Sequence, residues 1–326
     1  MTEKTEQTNS WITGNDGTRL FLRRWIPGCP ANSALLIVHG MAEHSLRYEG
    51  FARRLAGEGF EVWAADARGH GMTADQRVND PGKGGLPGHC ADRDGFSRVT
   101  ADVDTLVDAV KEAHPNAPLF ILGHSWGSFV TQAYIEAHGD RLAGCLLSGT
   151  RGPGDLKIVF GAPLMSLIAM LRGSRRPSPL AAALADGAYN KCFRPNRTPY
   201  DWLSRDEAQI DAFTADPLCG NRCSAGFYRD LTRGLREIHR PRNIDRIPRS
   251  LPIYVFSGNA DPVGEMGKSP LALVNAYRSM GIQDLEYALY PEARHELLNE
   301  TNREEVIGNI LRWLTRHLPA REDAVI

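Results

Sequence analysis

The sequence predicts an α/β protein whose mostly parallel central sheet is flanked by helices and carries an inserted helical cap. Two observations lead to this class. Short apolar runs alternate with segments of helical periodicity up to about residue 150, and the same alternation resumes after about residue 250. Alternating strands and helices build parallel sheets that are covered on both faces. We therefore divide the chain into core residues 1–149, a cap at 150–243 and core residues 244–326.

The chain is predicted to open with a hairpin. Residues 10–13 and 18–25 flank the turn sequence Gly14-Asn15-Asp16-Gly17 and contain alternating apolar positions. Residues 1–10 are polar and have no apolar run of the kind found in secretion signals. We expect these ten residues to form a disordered tail in front of the first strand.

The core elements follow in order. Continuous apolar runs predict buried strands at residues 34–38, 60–65, 118–122, 142–147, 251–256 and 285–290. Helical spacing of apolar residues predicts helices around residues 48–55, 99–110, 129–134, 271–280 and 302–317. Residues 72–95 are rich in Gly, Pro and Asp, and we expect a long surface loop there.

The segment 150–243 contains no clear strand pattern. An apolar helix is expected at 156–171, with Leu164, Leu167 and Ile168 on its apolar side, followed by a turn that contains Arg172, Arg175 and Arg176. Leu156, Val159, Phe160 and Leu171 would extend the same apolar side. Either this helix packs on the core with solvated arginines, or the pair makes a peripheral contact with anionic membranes.

The composition limits the classes of function. With 326 residues, 24% of them charged, and a net charge of −1, the chain offers no bulk attraction for nucleic acid, so no nucleic-acid partner is expected. Its longest apolar stretch, 159–171, is too short to cross a bilayer. Six scattered cysteines are expected as thiols, and Cys219-x-x-x-Cys223 lacks a second ligand pair, so no metal site is expected. We expect a cytoplasmic protein and leave its oligomeric state open.

The most informative motif is Gly123-His124-Ser125-Trp126-Gly127, which lies between a predicted strand and a predicted helix. A serine at such a sharp turn is raised above the sheet edge, beside the free N–H groups of a helix N-terminus. The flanking glycines let the backbone approach its neighbours closely. This pattern predicts a nucleophilic serine, whereas His124 inside it is interpreted as a packing residue.

A serine nucleophile needs a base, and the base needs a group that orients it. Asp261 and His295 each follow a later predicted strand, in the order serine, acid, histidine. The carboxyl ends of parallel strands share one edge, so these three side chains are expected to meet there. Backbone N–H groups of Trp126 and Met41 would then hold the oxyanion of acyl transfer.

Three motifs carry a family resemblance: the run from His39 to Tyr48, the segment 66–71 and the serine pentapeptide. Together they resemble the monoacylglycerol lipase and lysophospholipase group of α/β-hydrolases, often classed with serine aminopeptidases. The resemblance implies Ser125 as nucleophile, His295 as base, Asp261 as orienting acid, and Met41 and Trp126 as oxyanion donors. It also implies that Glu43 and Arg47 line the polar end of the pocket or brace its loop.

The same resemblance has one departure. Animal members carry a second histidine three residues after the catalytic one, and Leu298 stands there in this chain. The expected function is cofactor-free hydrolysis of a small acyl ester, foremost of monoacylglycerols or lysophospholipids. A general carboxylesterase, a thioesterase, an aminopeptidase-like amidase and a non-catalytic ligand-binding homologue stay open as alternatives.

Overall fold

The computed structural model describes residues 5–185 and 187–319, with the side chains of residues 156–160 left out of the description. Eight strands form one sheet in the order β1-β2-β4-β3-β5-β6-β7-β8. The strands are β1 (Glu6–Thr13), β2 (Arg19–Ile26), β3 (Ser33–Val38), β4 (Phe60–Asp66), β5 (Leu119–His124), β6 (Gly144–Ser148), β7 (Ile253–Gly258) and β8 (Leu285–Tyr290). β1 and β2 pair in antiparallel fashion, β2 is antiparallel to β4, and the remaining neighbours are parallel.

Helices cover both faces of this sheet. They are α1 (Glu49–Gly57), α2 (Gly95–Ala113), α3 (Trp126–His138), α4 (Leu156–Arg172), α5 (Pro179–Ala185), α6 (Glu207–Ala215), α7 (Ala225–Ile238), α8 (Pro241–Ile244), α9 (Lys268–Ser279) and α10 (Arg303–Arg316). The inner strands β3 to β7 are buried along their whole length, which explains why they have no alternating polar positions. The predicted fold class is confirmed.

Two expectations about the first hundred residues were wrong. Residues 6–10 belong to β1 rather than to a tail, and they pair with residues 22–26 of β2. This edge strand is exposed on both faces, so it has no apolar pattern to announce it. The segment 72–95 is not a surface loop throughout, since His89 and Cys90 are buried and the Gly88 carbonyl accepts a hydrogen bond from the Ser224 N–H.

The segment between β6 and β7 contributes α4 to α8 and packs into the main core. Met165 and Ile168 of α4 and Phe227 of α7 belong to the same buried cluster as Val130 of α3 and Leu147 of β6. Ile168, expected on an apolar outer surface, therefore faces inward. Leu156, Val159 and Phe160 fall among the residues whose side chains are not described. The division at 149/150 and 243/244 stays a prediction.

Candidate active site

Ser125 lies between the end of β5 and the start of α3, in a backbone conformation that few side chains adopt. Its φ is 51° and its ψ is −124°, and its N–H donates to the Ser148 carbonyl at 2.9 Å. Such strain is held in place only where the surroundings over-determine the turn. The turn projects the serine at the carboxyl edge of the sheet, as the sequence predicted.

The two glycines of the pentapeptide make this turn possible. A methyl group built on Gly123 would lie 2.6 Å from the Gly127 carbonyl oxygen, and one built on Gly127 would overlap the Val38 carbonyl oxygen. Both glycines therefore allow α3 to pack closely against β3 and β5. No other residue fits at either position without moving backbone.

His295 and Asp261 lie in the loops after β8 and β7, and both side chains are buried. The His295 Nδ1 and the Asp261 Oδ2 are 2.9 Å apart. The second Asp261 oxygen accepts a hydrogen bond from the Val263 N–H at 2.8 Å, which fixes the carboxylate. Within the described residues the His295 Nε2 has no hydrogen-bond partner, although His295 lines the same cavity as Ser125.

The surroundings of His295 favour its protonated form. Burial lowers the pKa of the imidazole, but the Asp261 carboxylate beside it more than offsets this, and the pKa lies above 6.5. His124, whose ring centre is 4.8 Å from that of His295, behaves differently. Burial and the neighbouring His295 lower the pKa of His124 to about 4, so at neutral pH it is an uncharged packing residue, as the sequence indicated.

The loop after β3 places Met41 beside Ser125. Met41 lines both cavities that reach Ser125, and Trp126 lines one of them. Neither backbone N–H donates to a loop or side-chain acceptor in the described part of the chain. Ala42 adopts a positive φ of 58°, and the Gly40 N–H donates to the Glu43 carboxylate at 2.5 Å. The loop is therefore held by its own carboxylate.

Arg47 connects that carboxylate to the histidine loop. Its guanidinium donates to Glu43 at 2.7 Å and forms two bonds of 2.6 Å to Glu296, the residue that follows His295. All three side chains are less than a tenth exposed, and Tyr48 completes the network by donating to Glu43 at 2.8 Å. The geometry favours a bracing role for Glu43 and Arg47. Sequence reasoning missed Glu296, although its position next to His295 was a usable signal.

Two cavities meet at Ser125. The larger, about 400 Å³, is lined mainly by apolar side chains of α3, α4, α5 and α7, such as Phe129, Met165, Leu184 and Leu235. The smaller, about 290 Å³, has more polar walls, which include Tyr200 and Asn221 of the cap besides Glu43 and His295. A molecule with an apolar and a polar half joined at Ser125 would fit this arrangement.

A mostly parallel eight-stranded sheet, a serine elbow after β5, and an aspartate and histidine after later strands define an α/β-hydrolase. The chain matches the family described as serine aminopeptidase S33 over residues 30–302 and belongs to it. In this family-wide context the chain is a hydrolase of carboxylic esters.

Named relatives agree with this assignment. The chain is similar to a monoacylglycerol lipase of Mycolicibacterium smegmatis, with 28% identity over 98% of this chain and 100% of the relative. It is 27% identical to a monoglyceride lipase of Mus musculus over 95% of this chain and 91% of that protein. A carboxyl esterase from Bacillus coagulans, solved in complex with glycerol, has the same fold, with a TM-score of 0.85, 24% identity and coverage of 97% and 100%.

Proposed function

We propose that this protein cleaves the ester bond of monoacylglycerols through an acyl-enzyme formed on Ser125. His295 would take the proton of the serine hydroxyl, and Asp261 would hold the imidazole in the required tautomer. The Met41 and Trp126 N–H groups would bind the oxyanion. The protonated histidine would then donate its proton to the departing glycerol, and a water molecule activated by His295 would release the fatty acid.

The hydrogen bond between His295 and Asp261, behind a serine at the junction of two cavities, supports this proposal most strongly. A longer distance between the serine and histidine in a structure without substrate is common, because catalytic hydrogen bonds tighten when substrate binds. The apolar cavity suits the acyl chain and the polar cavity suits glycerol. The relatives that are named monoacylglycerol and monoglyceride lipases point to the same substrate.

Lysophospholipids are a second candidate substrate, favoured by Arg222. This exposed arginine lines the polar cavity, and no ion pair engages it within residues 5–185 and 187–319. The other charged groups of that cavity, Glu43 and Glu296, are already paired with Arg47. An unpaired cation at this position would suit a phosphate on the alcohol half of a single-chain lipid.

A substrate panel tests the proposal. Purified protein is assayed with monoacylglycerols, lysophospholipids, acyl-CoA thioesters and aminoacyl amides, with Ser125→Ala as the matched control. We expect the highest kcat/KM on monoacylglycerols and no turnover by the variant. Activity confined to thioesters or amides would contradict the ester proposal, and equal slow rates for both proteins would favour a non-catalytic binding protein.

We also propose that the cap contacts membranes at the entrance of the apolar cavity. Met170 and Leu171 at the end of α4 are 72% and 73% exposed, and Leu184 of α5 is half exposed at the rim of the cavity. The exposed Arg172 and Arg176 follow α4 directly. An apolar tip beside cations suits the surface of an anionic bilayer. In the described residues no helix has the length and apolarity to span a membrane.

Vesicle flotation tests this contact. We expect the protein to float with phosphatidylglycerol vesicles and less with phosphatidylcholine vesicles, and Met170→Ser/Leu171→Ser to lose binding. Leu271→Ser, which removes an exposed leucine from α9, serves as the control. Equal flotation of both variants would contradict the proposed contact.

A further inference from the structure

Three side chains with metal-binding atoms converge where the cap meets the loop after β3. His44, Asp216 and Cys219 each present one donor atom, and these atoms all lie within 4.8 Å of one another. His44 follows the residues that hold Met41, whereas Asp216 and Cys219 follow α6 in the cap. The sequence considered only Cys219 with Cys223, because His44 is 172 residues away from Asp216 in the chain.

The donor set suits zinc. Zinc accepts imidazole nitrogen, thiolate sulfur and carboxylate oxygen at about 2.0–2.3 Å in a tetrahedral arrangement, so its ligand atoms lie roughly 3.5 Å apart. The His44 Nε2 and the Asp216 Oδ2 are 2.8 Å apart, and the three donors span at most 4.8 Å. Shifts of less than about 1 Å would bring them to that spacing.

The charges around Cys219 attract a cation. The carboxylates of Glu43, Asp216 and Glu296 all act on the thiol, and only the Arg47 guanidinium opposes them. Three negative charges against one positive charge leave an excess that a divalent cation would neutralise. Burial raises the pKa of the Cys219 thiol, and the carboxylates add to this. The thiol therefore keeps its proton unless a metal displaces it.

The imidazole of His44 provides an independent indication. The side chain is buried, and its Nδ1 has no hydrogen-bond partner among the residues that the structure describes. A buried ring nitrogen without a partner is costly, and such groups call for an explanation. Asp216, whose side chain is 31% exposed, gives the cluster an open side through which an ion and a water ligand can enter.

We propose that His44, Asp216 and Cys219 bind one zinc ion, with water as the fourth ligand, and that the ion fastens the cap to the loop after β3. When the ion binds, the thiol proton passes to solvent and the thiolate sulfur coordinates the metal. The two segments already touch here, since the Gly220 N–H donates to the Ala42 carbonyl at 2.8 Å. The ion has a structural role, because it lies apart from the Ser125 hydroxyl chemistry.

Cobalt and zinc titrations of the reduced, chelator-treated full chain test the site. With Co²⁺ we expect one equivalent to produce tetrahedral visible bands and a thiolate-to-cobalt band in the near ultraviolet. Zinc should displace the cobalt and raise the Tm of the wild type. Cys219→Ser should lose the thiolate band and bind zinc at least about tenfold more weakly, whereas Cys192→Ser, which removes an exposed cap thiol, should behave like the wild type.

Three results would overturn the site. These are the absence of a thiolate-to-cobalt band in the wild type, an equal band in Cys219→Ser, or an equal loss in both cysteine variants. Circular dichroism confirms that each variant is folded before titration. Asp216→Asn gives a second measurement, since it keeps the shape of the side chain but should weaken zinc binding by at least about tenfold.

Discussion

Replacement of Arg47 by Met should uncouple the two loops that hold the reacting groups. Arg47 is the cation between the buried carboxylates of Glu43 and Glu296, and methionine keeps much of its volume without the charge. Burial raises the pKa of Glu43, but Arg47 and two histidines outweigh burial, and the pKa falls from 4.5 to about 2. At about 1.4 kcal/mol per pH unit, this shift is worth about 3 kcal/mol of stability at neutral pH.

The sign of the effect sets the pH at which it is measured. Because the pKa of Glu43 is lowered on folding, this stability is present above pH 4.5 and is lost as the pH falls toward about 2. In Arg47→Met, two buried carboxylates lose their cation, and we expect a loss of about 3–5 kcal/mol at pH 7. The loss should shrink at pH 5, because the unpaired carboxyl groups of the variant can take up protons.

Urea unfolding followed by tryptophan fluorescence at pH 7 and pH 5 measures this difference. Arg53→Met removes an exposed arginine that pairs with Glu49 on α1, and it should cost less than about 1 kcal/mol. The kcat of folded Arg47→Met should fall about 10- to 100-fold, since small misplacements of reacting groups have effects of that size. A stability loss below about 1 kcal/mol at pH 7, or an equal loss at pH 5, would refute the bracing role.

Three further outcomes are expected. Gly127→Ala should lower kcat/KM more than about 100-fold in esterase assays, because its methyl group would displace α3 from β3; activity near that of the wild type would contradict this. The wild-type kcat/KM should fall as the pH drops through the pKa of His295, which lies above 6.5, and Asp261→Asn should lower kcat by about 10³- to 10⁴-fold. Burial raises the pKa of Glu136 to about 9, so its carboxyl group destabilises the fold increasingly between about pH 4.5 and 9. Glu136→Gln should remove this dependence and stabilise the protein by up to about 3 kcal/mol at pH 7, and an unchanged slope of stability against pH would contradict the assignment.

Local sequence signals were sufficient where local physics decides the structure. The elbow at Ser125 depends on two neighbouring glycines, and the buried strands β3 to β7 are continuous apolar runs. Asp261 and His295 were predicted to meet because each follows a strand whose carboxyl end must lie at the same edge. The structure brings these two side chains into hydrogen-bond contact.

Features that depend on distant contacts were not predicted. The bond between Arg47 and Glu296 joins residues 249 positions apart, and neither local sequence contains a periodicity that would announce it. The first half of β1 is polar on both faces, so only its pairing with β2 reveals it as a strand. The walls of the two cavities come from separate cap helices, and their shape depends on packing between elements rather than on any one pattern.

The central claim is that Ser125 is acylated during turnover. Rapid-quench kinetics with a p-nitrophenyl ester, followed by mass spectrometry of the digested protein, tests it most directly. The proposed mechanism predicts a burst of about one equivalent of p-nitrophenol per protein and an acyl group on the peptide that contains Ser125. An acyl group on another residue, or an equal burst from Ser125→Ala, would contradict it.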